Sequence, residues 1–344
     1  MKDWRFWIAE QREKLLAVAS DWRFWIAEQR GTLLAVAIFV VMFIIYVSNH
    51  PAGFTANVVQ TASNKGVLLA FVAMAQALVV ITSGIDLSVG MIFILTNCLA
   101  SWIVIGSPLQ VTLGVIAVLL VGALCGAING AIVIYGRLQP IVTTIATGAI
   151  YFGIALALRP SPGGSVNETL ADALTGRIFH VVPASLVVLV AVVLVVWVPF
   201  RRSVTGRAAY ATGSSEPAAY MSGVPIRRAK MAAYTLSGLL AAIGGLFLTF
   251  FTYTGDAAYA SGNAYTLFSI AAVVLGGVSL FGGKGSAIGA IFGALAFRTI
   301  GDLLFVFDFD PLWQPLFQGV VLLLAVSLGA FGLFRVRNRL DWFG

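Results

Sequence analysis

Long runs of apolar residues, each approaching the length of a membrane-spanning helix, follow one another along most of this chain. A helix needs about 20 consecutive apolar residues to cross the hydrocarbon core of a bilayer. Ten such runs cover residues 32–48, 66–83, 89–105, 110–135, 139–158, 180–199, 230–252, 264–280, 286–304 and 312–334. The pattern predicts an all-α, polytopic membrane protein with about ten transmembrane helices and little sequence left for a soluble domain.

The composition agrees with this prediction. Of the 344 residues, 60% are hydrophobic and 10% are charged, whereas soluble globular proteins carry about 45–50% apolar and about 25% charged residues. These values exclude a soluble enzyme, a disordered chain and a disulfide-stapled scaffold. Cys98 and Cys125 lie in apolar runs and are expected to pack as small hydrophobic residues.

The basic residues are distributed unevenly between the segments that connect the runs. With ten spans and an inner N-terminus, the inner segments hold all of the 21 Lys and Arg except Lys65, Arg159 and Arg177 on the outer side and Arg298 within a span. Cytoplasmic loops of membrane proteins are enriched in Lys and Arg. Both termini are therefore predicted to be cytoplasmic, and the net charge of +7 reports topology rather than nucleic-acid binding.

Three parts follow from this topology: a cytoplasmic N-terminal tail (1–31), a transmembrane domain (32–334) and a cytoplasmic C-terminal tail (335–344). The N-terminal tail contains the sequence DWRFWIAEQR twice, at 3–12 and at 21–30. Its aromatic and charged residues suit a helix in the membrane interface. A recent duplication without a mechanistic role is the favoured explanation.

A polar turn interrupts the apolar pattern between the second and third runs. It contains Gly84, Asp86, Ser88 and Gly90, and the charge of Asp86 stands between two apolar segments. A charge at the bilayer centre costs about 2.5–3.5 kcal/mol and usually faces a cavity or a partner. The turn is interpreted as a broken or re-entrant helix, or as a tight inner loop in which Asp86 caps the third helix through Val89 and Gly90. The two interpretations are compatible.

Polar residues recur inside the predicted spans. The predicted substrate pathway consists of Gln76, Asp86, Asn97, Asn129, Thr143, Thr144 and Thr147. Amides and hydroxyls suit a neutral polyhydroxylated solute better than an ion, although contact between helices is the alternative role of any one of them. Arg298 and Asp302 stand four residues apart and are expected to pair on one helix face.

Two glycine triplets with a spacing of four residues lie in the fourth and ninth runs. They are Gly122, Gly126 and Gly130, and Gly285, Gly289 and Gly293. Such stripes allow another helix to approach closely. Contact within one bundle is the favoured explanation, and a dimer seam is the alternative.

The sequence contains no recognisable motif for metal or nucleotide binding. The segment Gly277–Gly285 places Val278 where a phosphate-binding loop needs glycine, and Gly285 where it needs Ser or Thr after Lys284. Neither a catalytic residue nor a metal or cofactor site is therefore expected. Any ATP that drives this protein must bind to a partner subunit.

The longest inner connection covers residues 200–230. Ser214 or Ser215 is expected to cap a short helix that begins near Glu216, with Pro217 in its first turn. Gly223 is expected to end this helix. A short helix held between two spans suits the docking of a partner, whereas the basic residues that follow it would by themselves only anchor a span to anionic lipid.

Three segments together resemble one known family. They are TSGIDLSVG (82–90), GRAAYATGSSEPAAYMSGVPIRRAKMAAYTLSG (206–238) and AAVVLGGVSLFGGKGS (271–286). They resemble the ribose/xylose/arabinose/galactoside-type permease subunits of bacterial ABC sugar importers, over roughly residues 31–334. The resemblance implies a multi-pass protein of the bacterial inner (plasma) membrane. The implied partners are a cytosolic ABC ATPase, a periplasmic sugar-binding protein and a second permease copy or paralogue.

The resemblance also implies that connection 200–230 is the coupling loop that receives the ATPase. Its candidate coupling residues are Gly213, Glu216, Ala218, Ala219, Gly223, Arg227 and Arg228. The implied function is translocation of a pentose or hexose. Two alternatives from other classes are a secondary, ion-coupled transporter of a small polar solute and a membrane anchor of a signalling complex.

Overall fold

A computed structural model describes residues 29–257, 262–324 and 327. The C-terminal tail and nearly all of the duplicated N-terminal segment lie outside these residues. The described parts are helical apart from one two-stranded antiparallel sheet and irregular connections. This confirms the all-α, polytopic class.

Thirteen helices are described, and they are numbered here in chain order. They are α1 (Gln29–Asn49), α2 (Ala56–Ile81), α3 (Val89–Ile103), α4 (Pro108–Tyr135), α5 (Pro140–Leu158), α6 (Glu168–Thr175), α7 (Ala184–Arg202), α8 (Val204–Ser214), α9 (Glu216–Met221), α10 (Ile226–Thr252), α11 (Gly262–Leu275), α12 (Ala287–Val306) and α13 (Pro311–Leu324). Strands β1 (Arg177–Ile178) and β2 (Val182–Pro183) form a hairpin between α6 and α7.

Seven helices are long and apolar enough to cross a membrane: α1, α2, α4, α5, α7, α10 and α12. The other three predicted spans coincide with the shorter apolar helices α3, α11 and α13. The span predicted over 264–280 ends early because the chain leaves the helix after Leu275 and turns back through a glycine-rich segment. The exact count of ten spans and the cytoplasmic location of the termini stay predictions.

Successive connections between the apolar helices lie at opposite ends of the bundle, and the connections at each end contact one another. At one end, Gly283 N donates a hydrogen bond to Ile81 O at 3.0 Å, which joins the α11–α12 connection to the α2–α3 connection. At the other end, Asn167 N donates to Val104 O at 2.9 Å, and Gly163 pairs with Gly255 in a β-bridge. We call these ends the inner and the outer face, since the predicted cytoplasmic, basic connections lie at the first.

The core is built around α2, most of whose side chains are buried, whereas α1 buries only Ala35 and Tyr46. The triplet Gly122, Gly126 and Gly130 lies in α4, whereas only Gly289 and Gly293 of the second triplet lie in a helix, because Gly285 precedes α12 and has a φ of 114°. The helical glycines pack against other segments of the same chain. Gly126 lies against α10 at Tyr234 and Gly238, and Gly293 lies against α11 at Ala272. This agrees with contact inside one bundle, the explanation that the sequence favoured.

Cys98 and Cys125 are buried and free, as expected for small hydrophobic residues.

Connection 200–230 contains more helix than the sequence predicts. Ser203 caps an unpredicted helix, α8, by accepting a hydrogen bond from Gly206 N at 3.0 Å. Helix α10 begins at Ile226 rather than at residue 230, so the basic residues Arg227 and Arg228 belong to its first turn. The connection is therefore two short helices, α8 and α9, between two spans.

Candidate functional site

Asp86, in the polar turn between α2 and α3, is fully buried. Asp86 Oδ1 accepts hydrogen bonds from Ser88 N at 2.9 Å and from Ser88 Oγ at 2.6 Å. The expectation that Asp86 caps Val89 and Gly90 is wrong, because Ser88 occupies the N-cap position of α3 and Gly90 N donates to Thr266 Oγ1 at 3.1 Å. The carboxylate closes its own turn instead, a local bond typical of Asp.

A chain of buried polar side chains extends from this turn into α4 and α5. Asn129 Nδ2 donates to Ser88 Oγ at 2.7 Å, and Tyr151 OH donates to Asn129 Oδ1 at 3.1 Å. Thr144 Oγ1 accepts from Leu87 N at 2.9 Å. The structure thus brings Asp86, Asn129 and Thr144 together, and the turn is held by both neighbouring helices.

Two polar atoms beside the turn remain without a hydrogen-bond partner in the described parts of the chain. They are Asp86 Oδ2 and Tyr234 OH, both fully or almost fully buried. The Tyr234 hydroxyl packs next to Gly84, in the same turn. Unsatisfied buried groups are costly, and here the turn and its neighbour Tyr234 retain one acceptor atom and one hydroxyl group with unused hydrogen-bonding capacity among the described residues.

The remaining predicted pathway residues are buried but dispersed. Asn97 lies toward the outer face, where its amide bonds Thr249 Oγ1 at 2.9 Å and accepts from Asp256 N at 3.0 Å. Gln76 has no hydrogen-bond partner for either amide atom among the described residues, and the same holds for Thr143 Oγ1. Thr147 Oγ1 bonds Thr144 O at 3.5 Å. Their role in a substrate pathway stays a prediction.

Sequence reasoning missed two members of this cluster. Tyr151 joins Asn129 to α5, and Thr266 of α11 contacts both Gly90 N and, at 3.4 Å, Leu87 O. The available signal for Tyr151 was its spacing of four residues from Thr147, which places both on one helix face. No local signal pointed to Thr266, because its partners lie about 180 residues away.

Replacing Asp86 with alanine is expected to destabilise the fold by about 1–3 kcal/mol, because Ser88 N and Ser88 Oγ then lose their buried acceptor. Asp86→Asn keeps one acceptor oxygen and is the matched control, with a smaller expected loss. Thermal unfolding of the purified variants in one detergent measures the difference. An Asp86→Ala protein as stable as the parent would contradict this account of the turn.

Three segments converge at the inner face in what we call the three-loop junction. They are the end of α2 with the two residues after it (Ile81–Ser83), the end of α8 (Gly213–Ser214) and part of the turn after α11 (Phe281–Gly283). Ser83 Oγ lies 2.9 Å from Gly213 O and 2.8 Å from Phe281 O. The end of α8 is therefore in direct contact with the start of the buried turn and with the glycine-rich turn after α11.

Helix α9 follows this junction and confirms the predicted local pattern. Ser215 caps it by accepting from Ala218 N, and Pro217 lies in its first turn. After Met221 the chain turns through Gly223, which has a φ of 71° and donates to Tyr220 O at 3.0 Å. The short capped helix was thus predictable from local signals.

The candidate coupling residues occupy distinct positions around α9. Gly213 lies in the three-loop junction, Glu216 pairs with Lys230 at 2.7 Å, and Ala219 is buried against the bundle. Ala218, Arg227 and Arg228 are exposed. Sequence reasoning did not single out Tyr220 and Met221, whose side chains are 77% and 86% exposed at the end of α9. They form the most prominent apolar projection on this connection.

The described residues contain no group of three or more His, Cys, Asp or Glu placed to hold a metal ion. The site is instead a buried turn of hydrogen-bonding groups, connected through the three-loop junction to the two short helices α8 and α9. Such an arrangement can transmit a displacement at the surface to polar groups inside the bundle.

The sequence of this chain is similar to those of known transport permeases. Residues 58–326 match the family model described as "Branched-chain amino acid transport system / permease component". A probable ABC transporter permease protein of Sinorhizobium fredii is 35% identical over 283 residues, which cover 81% of this chain and 82% of that protein. No solved structure matches this chain.

Two further relatives have names that specify a sugar. The fructose import permease of Rhizobium meliloti is 34% identical over 269 residues, or 76% of this chain and 74% of that protein. The ribose import permease of Escherichia coli (strain K12) is 33% identical over 294 residues, or 83% of this chain and 90% of that protein.

Proposed function

This chain belongs to the family of branched-chain amino acid transport system permease components, and on that premise we propose that it is the membrane subunit of an ABC importer for a monosaccharide. It is a multi-pass inner-membrane protein, as the family and its apolar helices establish. A separate cytosolic ATPase would supply the energy, and a periplasmic binding protein would deliver the sugar. A second copy or a paralogue would complete the pathway.

The contact between the α8–α9 connection and the buried turn is the observation that carries this proposal. A permease without its own ATPase needs a surface element that a partner can move, together with a rigid link from that element to the pathway. Helix α9 offers exposed side chains to the partner, and Gly213 at the end of α8 contacts the exposed Ser83, which immediately precedes the buried turn. Movement of α9 would therefore reach Asp86 over a short path.

The choice of a sugar rests on the chemistry of the buried groups and on the relatives. Asn129, Thr144 and Tyr151 are uncharged hydrogen-bonding groups that suit hydroxyl-rich solutes. Two relatives are named for ribose and fructose. The family description mentions branched-chain amino acids, whose charged termini would require charged partners. Asp86 is the one charged side chain in the described cluster, and it lacks a basic neighbour in its hydrogen bonds.

Uptake in cells tests this function. Deletion of the gene is expected to abolish uptake of one monosaccharide, and expression of this chain is expected to restore it. Restoration should fail when the partner ATPase is catalytically inactive. Identification of the ligand that co-purifies with the cognate binding protein would name the sugar. Uptake that survives ATPase inactivation but collapses with the proton gradient would favour the ion-coupled alternative.

Gly223→Ala is expected to lower the stability of the α9 end by about 1–2 kcal/mol, because the residue has a φ of 71° and side chains disfavour that region. No other atom lies near a side chain at this position, so the effect comes from the backbone alone. Asparagine adopts this φ at a lower cost than alanine does, so Gly223→Asn should retain more uptake than Gly223→Ala. Equal uptake by parent and Gly223→Ala would show that the end of α9 does not need this geometry.

A further inference from the structure

A lateral groove runs between α1, α2, α7 and α12 toward the outer face. Its cavity measures about 480 Å³ and is lined mainly by apolar side chains, including Phe43, Leu189, Val190 and Phe292. Val190 and Leu194 of α7, which also line it, are 56% and 60% exposed. Exposed apolar residues on a membrane-spanning helix face lipid, so the groove opens sideways into the bilayer.

The outer end of the lateral groove is charged. Arg298 and Asp302 line both this cavity and an adjoining one of about 590 Å³, which also contains Lys65 and His50. Asp302 Oδ1 lies 3.6 Å from Lys65 Nζ. The pair that the sequence predicted between Arg298 and Asp302 does not form, because the nearer cation of α2 takes the carboxylate.

Within the described parts of the lateral groove, Arg298 is left as a positive charge without an acidic partner. Lys65 and Asp302 offset each other, and the described residues place no acidic side chain in ion-pair distance of Arg298. Arg298 lies eight residues before the end of α12 at Val306, or about 12 Å from the outer end at 1.5 Å per residue. An arginine at such a depth is costly unless it finds an anion or reaches the interface.

We propose that the lateral groove binds one phospholipid of the outer leaflet, with its phosphate at Arg298 and an acyl chain along the apolar cavity. Two features support a lipid rather than a sugar: the apolar lining and the sideways opening toward the bilayer. Phosphate pairs well with guanidinium, whose planar donors match its oxygens. This site is separate from the buried turn and independent of the proposed transport function.

Lipid binding to Arg298 variants tests this proposal. Delipidated protein in detergent would be titrated with phosphatidylglycerol, with a diacylglycerol of the same chains and with inorganic phosphate, and binding would be followed by native mass spectrometry and thermal unfolding. Phosphatidylglycerol is expected to bind at least tenfold more tightly than the other two. Arg298→Gln should lose this preference, and Arg177→Gln, which changes an exposed arginine of β1 at the same face, should keep it.

Two further variants separate a lipid site from a structural charge cluster. Asp302→Asn removes the acidic partner of Lys65 and makes this end of the groove more positive, so it should preserve or strengthen phosphatidylglycerol binding. Val190→Trp should block the groove at an exposed position and reduce binding even if Arg298→Gln fails to fold. Unchanged binding in both Val190→Trp and Arg298→Gln would overturn the proposal. Equal stabilisation by inorganic phosphate would also overturn it, because the acyl chain would then contribute nothing.

Discussion

Replacing Tyr220 and Met221 together with alanine is expected to abolish ATP-driven uptake while leaving the fold intact. These side chains are 77% and 86% exposed at the end of α9, so the bundle does not depend on them. Substitutions at such surface positions usually change stability by no more than about 0.5 kcal/mol. A partner that docks on them would lose much more, since truncating a hot-spot residue costs about 2 kcal/mol or more, roughly 30-fold in affinity.

Co-purification of the partner ATPase and uptake of sugar measure this effect. The control is Phe179→Ala, since Phe179 is 88% exposed in the hairpin at the outer face. The control should retain full ATPase association, and the thermal unfolding of both variants should match the parent. Normal ATPase association and normal uptake by the double variant would contradict the role of α9 as a docking helix.

Gly213→Val is expected to disrupt the three-loop junction and to eliminate most uptake. A Cβ atom at this position would lie 1.9 Å from Ile81 O and 2.5 Å from Gly283 N. Both are backbone atoms that cannot rotate away, so α8 must shift and the hydrogen bond between Gly283 N and Ile81 O must lengthen or break. Overpacking of this kind costs about 1–3 kcal/mol or more.

The matched control is Gly153→Ala in α5, where no other atom lies near the added methyl group. It should leave uptake unchanged and keep the unfolding temperature equal to or slightly above that of the parent, since alanine favours a helix more than glycine does. Gly213→Val should also weaken the stimulation of the partner ATPase by the sugar-loaded binding protein, because the link to the buried turn is lost. Full uptake with a normal unfolding temperature would contradict the close contact of the three connections.

Local signals explain which parts of the fold could be predicted from the sequence. Each of the ten apolar runs overlaps a helix among the described residues, and the Ser215 cap, Pro217 and Gly223 define α9 because their effects act within a few residues. Helix α8 was missed because its sequence mixes small and polar residues without a strong apolar period. Its position depends on tertiary contacts with the bundle, which the sequence pattern does not reveal.

The candidate site was predictable only in part for the same reason. The isolated charge of Asp86 between two apolar runs indicated burial, and the structure confirms it. The spacing of Arg298 and Asp302 indicated a pair, but Lys65 on a different helix takes the carboxylate. Likewise, Asn97 was grouped with Asp86 by residue type, whereas its partners lie on α10 and beyond. Contacts between distant segments decide these assignments.

The proposed role of this chain as the membrane subunit of an ATP-driven sugar importer is tested most directly by uptake into proteoliposomes. These would contain the purified chain with its cognate ATPase, with the binding protein and labelled ribose or fructose outside. Sugar should accumulate only when ATP is present at the ATPase side, and a proton ionophore should have no effect. Accumulation driven by an ion gradient without ATP would contradict this role, as would the absence of flux for every monosaccharide tested with all partners present.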